Sequence, residues 1–78
     1  MKTTRYFEEQ VLRKRRYLKR EWCERALVHP EHTEVQNDGR VRYWVYLREI
    51  RGHLRVVTLA DGETIHKAFP DRDFEVTG

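Results

Sequence analysis

Arg42, Trp44, Tyr46 and Arg48 stand at alternate positions in the run RVRYWVYLR, and Arg55 and His66 follow in the next two runs of similar texture. Alternate side chains of an extended chain point to one face, so these four share a surface if residues 40–50 form a strand. Arg55 on the following strand and His66 on the last join that face at alternating positions. Guanidinium groups grip phosphate, aromatic rings stack on bases, and a histidine titrates near neutrality. Together they describe an RNA-binding face. A sheet face left open to water also needs long polar side chains, and Arg and Tyr meet that need without any ligand. Trp44 and Tyr46 equally suit a protein interface.

A second cationic group is contiguous in sequence: Arg13, Lys14, Arg15 and Arg16. Residues 1–20 carry eight basic and two acidic side chains, net +6, whereas the rest of the chain is net −3. The run reads as a patch for phosphates or for an acidic partner, or as the solvated end of a helix whose dipole favours cations. His29 and His32 invite a metal reading, with His53 and Cys23 as further ligands. Pro30 breaks the geometry between the two imidazoles and no second paired motif exists, so no metal or cofactor is expected. Cys23 has no His–carboxylate set around it and reads as a small core residue. Gly39, Gly52 and Gly62 mark turns, not a phosphate loop.

The elements that must position these residues change period along the chain. Phe7, Val11 and Leu12 recur at helical spacing behind Thr3 and Thr4 as caps, predicting a first helix over 4–16. A second, over 20–28, buries Trp22 and Ala26, with Cys23 and Leu27 beside them, and ends before Pro30. Beyond residue 32 the period becomes two. Strands are expected at 33–36, 41–48, 53–60 and 63–69, with turns at Asn37-Asp38-Gly39, Arg51-Gly52 and Asp61-Gly62. The order predicts an α+β fold: two N-terminal helices packed on one face of a three- or four-stranded antiparallel meander. Val41, Tyr43, Val45 and Leu47 then face the helices. Phe7, Leu12, Trp22, Leu27, Val45, Leu47, Val56 and Ile65 form the expected core.

Seventy-eight residues allow one domain, residues 1–78, with a polar tail over 71–78 expected to fray apart from Phe74. Charged residues make up 37% and the mean hydropathy is −0.91, but nine aromatic side chains supply the bulk that a small core requires. No apolar run reaches the ~20 residues of a membrane span, and the start lacks a signal peptide's apolar stretch. A single cysteine excludes an internal disulfide. A cytoplasmic protein is expected.

The segment LRVVTLADGETI, Leu54 to Ile65, is the most telling piece of a wider pattern. It joins the L-x-x-P closing the second helix (Leu27 to Pro30), RVRYWVY, and the full run HLRVVTLADGETIHKAFP. Over about residues 6 to 70 the chain resembles the small bacterial DUF4258 family, grouped with the RelE/ParE/BrnT-like toxin superfamily. The resemblance implies a RelE-like fold and a toxin-type protein acting on RNA, an endoribonuclease held in check by an antitoxin protein, with RNA or the ribosome as target. In such cleavage a 2′-OH attacks the adjacent phosphate, so the site needs proton transfer and fixed positive charge. His66 would move the proton and Arg55 would stabilise the charge. The chain departs from the family at Gln10, near a position where the family has His, and at Lys19, where a Ser or Thr cap is usual. The alternative is a non-catalytic binding or accessory protein of the same fold that contacts a protein or nucleic acid. A homodimer is compatible with either.

Overall fold

Four apolar–polar alternations become four strands in the computed structural model, which describes residues 1–75. They are β1 (His32–Val35), β2 (Val41–Leu47), β3 (Gly52–Thr58) and β4 (Ile65–Pro70), each antiparallel to the next in the spatial order β1-β2-β3-β4. Short turns dictate this order, since a hairpin leaves its two strands side by side. Gly39 and Gly62 take positive φ in the first and third turns, at 90° and 71°. In the second, Arg51 itself sits in the left-handed region at φ 50°, closing a turn in which its N–H donates to Arg48 O at 3.1 Å.

The expectation of two helices packed on the sheet is overturned. Among the described residues there is one regular α-helix, α1 (Arg20–Val28), which lies over β2 and β3 and buries Trp22, Cys23 and Ala26. It stops where His29 N–H donates to Arg25 O at 2.8 Å and Pro30 follows. In place of the longer first helix is a π segment, Phe7–Leu12, packed against β4 and burying Phe7 and Val11. Side chains four residues apart return to one face in either helix type, so the apolar spacing fits both. Thr4 Oγ1 accepts Phe7 N–H at 3.1 Å, so the expected cap exists but precedes a wider turn. Glu8, accepting Thr3 Oγ1 at 2.6 Å and gripped by both Nη groups of Arg20, ties the segment to α1.

The core lies between these pieces and one sheet face. Phe7, Trp22, Val45, Leu47, Val56 and Ile65 are buried in it, together with Leu18, Leu54 and Ala68. Leu12 and Leu27, expected inside, are only half-buried and pack against its margin. Between Val57 and Thr58 the register with β4 slips by one, because Val57 pairs with Lys67 and Thr58 with Ile65. His66 is the extra residue of this bulge. Along the outer edge of β4, Lys2 O accepts Ile65 N–H and Thr4 N–H donates to Ile65 O, a short parallel bridge at the start of the chain. No helix among the described residues is long and apolar enough to cross a membrane.

Candidate nucleic-acid interface

The face of the sheet away from α1 is crossed by a row of four side chains, one per strand: His32, Trp44, Arg55 and Phe69. This face was expected to be open. Instead the segment after β4 folds back over it. Phe74 stacks on Trp44 with centroids 4.8 Å apart and planes at 15°, and Asp71 Oδ2 accepts Trp44 Nε1–H at 2.9 Å. Trp44 is 3% exposed, so it offers no ring to a base or a partner in this arrangement. Arg55 is similarly engaged. Its guanidinium lies over Phe69 at 5.0 Å and Trp44 at 5.6 Å, and its Nη1 donates to Asp71 Oδ2 at 3.4 Å. The Trp44 hydrogen bond, with help from Asp73 N–H and Arg55, holds the Asp71 carboxyl below its usual range. Of the expected tail 71–78, Asp71 and Phe74 are thus anchored, and residues 76–78 lie outside those described.

His66 has other neighbours. Its Nδ1 lies 3.0 Å from Thr4 Oγ1, and its ring stacks on Tyr6 at 4.8 Å. Burial, then the positive charges of Arg40 and Lys67, push its pKa below the ordinary 6.5. The shift favours the neutral ring, the form in which Nδ1 can accept the Thr4 hydroxyl. The two residues proposed for cleavage are not brought together: Arg55 contacts Trp44, Phe69 and Asp71, and His66 contacts Thr4 and Tyr6.

The remaining cations gather elsewhere. Arg42 is half-buried, and the amide oxygen of Gln36, turned toward it, accepts from Nη2 at 2.8 Å and Nε at 3.0 Å. Arg13, Lys14 and Arg16 are exposed and Arg15 is half-buried. Arg48 and Tyr46, both exposed, line a shallow depression with Arg25, Glu49 and Arg51. Arg25 is paired with Glu49 at 3.4 Å. Arg51 also borders a neighbouring cleft of about 670 Å³, walled by Tyr17, His53 and Phe74 and closed by Pro70, Asp71 and Arg72. Among the described residues, Arg48, Arg51, Arg72 and the run from Arg13 to Arg16 form no ion pair.

Sequence reasoning missed Tyr17, Arg51 and Arg72. The sequence marks Arg51 only as half of a turn signal, and Arg72 only as part of a tail. The histidines of the discounted metal set are apart in role: His32 faces Glu34 at 3.5 Å and His53 faces Glu31 at 2.7 Å. Burial pushes the Cys23 thiol up to about 12, far from a reactive thiolate. Among the described residues no group of three or more His, Cys, Asp or Glu side chains is placed to hold a metal ion. No protein-family model matches the sequence, and no curated protein or solved structure matches the chain.

Proposed function

We propose that this protein binds RNA, holding the sugar–phosphate backbone at the end of the sheet where β2 turns into β3. The observation that carries this reading is that Arg48, Arg51 and Arg72, without ion pairs among the described residues, ring two adjoining depressions that share Arg51. Tyr17, on the wall of the depression that Arg72 also borders, directly follows the run from Arg13 to Arg16. The run thus leads along the chain to the wall of one depression, and a polyanion that reached both would neutralise several cations at once. The separation of Arg55 from His66 favours binding without cleavage over a ribonuclease of the toxin type, because charge stabilisation and proton transfer must act at one phosphate.

The test is a titration of labelled RNA at several salt concentrations. Replacing Arg13, Lys14, Arg15 and Arg16 with Gln weakens binding to all sequences alike. It also lowers the log–log salt slope by roughly 3 if all four reach phosphates, at about 0.7–0.9 per contact. Failure of the wild-type protein to bind RNA at low salt overturns the reading. An acidic protein partner, such as the antitoxin that the DUF4258 resemblance implies, is the second reading. It is favoured by Tyr46, 45% exposed amid Arg25, Arg48 and Arg51, since Tyr and Arg dominate the energetics of protein interfaces. Stable co-purification of one small acidic protein with a complex lost on Tyr46→Ala would support it.

A further inference from the structure

The cleft bordered by Arg51 and Arg72 has the makings of a more specific site than a phosphate track. Its volume of about 670 Å³ lies within the range of small-ligand pockets. Its apolar surface comes from Ile50, Pro70 and Phe74. Tyr17 stands at the wall with half of its surface exposed, whereas Phe74 already stacks on Trp44 with one face. Tyr17 is thus the ring free to take a flat partner. At the rim, Arg51 and Arg72 are exposed and without ion pairs among the described residues. The acidic group in the cleft, Asp71, has its charge already answered by Trp44 Nε1–H and Arg55, and His53 is held by Glu31. The cleft therefore presents uncompensated positive charge above an aromatic and apolar lining.

A second observation concerns Arg51. Its φ of 50° is a conformation that glycine or asparagine adopts readily and an arginine, with its Cβ against the carbonyl, does not. Nothing in the fold requires a guanidinium there, because the turn is closed by backbone hydrogen bonds from Ile50 N–H to Leu47 O and from Arg51 N–H to Arg48 O. A strained residue that packing does not demand, placed at the mouth of a cleft, points to a ligand.

We infer that this cleft takes one unstacked nucleotide of single-stranded RNA, its base lying against Tyr17 and its phosphate between Arg51 and Arg72. The inference rests on the RNA-binding reading and adds to it a strand preference, because a base held in a duplex cannot enter. Stacking on Tyr17 is tolerant of base identity, so the preference is for strandedness over sequence.

The experiment compares a short labelled RNA of mixed sequence, single-stranded, with the same strand annealed to its complement. Wild type binds the single strand about tenfold more tightly, and Tyr17→Ala removes most of that difference while leaving duplex binding unchanged. Tyr17 is exposed and outside the core, so the variant keeps its fold. Arg51→Gly binds the single strand several-fold more weakly and yet melts at a higher temperature, which a merely structural arginine would not do. Equal affinity for single strand and duplex, or a Tyr17→Ala protein indistinguishable from wild type, overturns the cleft while leaving backbone binding standing. Absence of binding to either RNA overturns both.

Discussion

Arg51 shows how a single backbone angle separates what a residue does for the fold from what it does otherwise. In the left-handed region the Cβ crowds the next carbonyl, at roughly 1–2 kcal/mol for an ordinary residue. Glycine escapes that crowding but has more freedom to lose on folding. Arg51→Gly is therefore expected to stabilise the protein by about 0.5–1 kcal/mol, seen as a higher urea midpoint with an unchanged slope. An unchanged or lower midpoint would mean that the Arg51 side chain makes contacts that outweigh the strain. The sequence signal at this turn was real but incomplete. Arg-Gly announces a turn, yet the positive φ falls on the arginine while Gly52 opens β3. Trp44 teaches a related point. Alternation assigns it correctly to the face opposite Val45, but the ring that covers it, Phe74, arrives from thirty positions along the chain. A local pattern gives direction and not cover.

At the level of elements, strands were easier to read than helices, for a physical reason. A period of two admits no rival, so the alternation in Val41–Leu47 translated directly into β2. The spacing of Phe7 and Val11 admits both the α and the π turn, and only the hydrogen-bond pattern decides between them. The bulge at His66 was also illegible, because one extra residue in a ladder leaves no mark on composition. The register itself sets His66 apart from Arg55, which pairs with Phe69, three residues further along β4. α1 is the element on which the core depends most, because Trp22 is the largest side chain it buries. Trp22→Ala is expected to cost about 3–5 kcal/mol. Against a total near 4–12 kcal/mol for a chain of this length, such a loss brings the domain close to unfolding at 25 °C. A melting temperature within a few degrees of wild type would refute the packing assigned to α1.

For the molecule as a whole, several carboxylates are more acidic when folded than when unfolded. Glu8 is lowered from 4.5 to about 2, chiefly by hydrogen bonds from Arg20 and then Thr3. Asp61 is lowered from 3.8 to about 2 by the Thr64 hydroxyl, the Thr64 N–H and the Glu63 N–H. The unfolded chain thus binds more protons below these ordinary values, and the stabilisation present above pH 4.5 is lost as pH falls toward 2. Burial of His66 works in the same direction at higher pH, because its folded pKa is also depressed and stability falls as the solution is taken below 6.5. Urea titrations from pH 7 to pH 2.5 should show a descending midpoint, and Glu8→Gln should flatten the part below pH 4.5. A Glu8→Gln profile parallel to that of wild type would mean that the clamp on Arg20 contributes nothing. The radius of gyration, 11.7 Å, is close to the ~11.5 Å expected for a compact chain of this size. The basic first twenty residues and the net acidic remainder of the chain are therefore folded onto one small body. Arg48, Arg51, Arg72 and the run from Arg13 to Arg16 keep their availability because the carboxylates of the described ion pairs are taken by other cations and by histidines.

The bridge from Lys2–Thr4 to Ile65 sets how copies of this molecule can join. A strand edge left bare is a template for another chain, and a body with two such edges can polymerise. Here the outer edge of β4 is blocked where the strand begins, while nothing among the described residues pairs with the far side of β1, whose Val35 is 74% exposed. Pairing through β1 alone consumes the edge of each copy and stops at two. Deleting residues 1–4 would bare the first residue of β4 and is expected to turn that self-limiting contact toward open-ended growth, visible as light scattering that rises with concentration in the truncated protein alone.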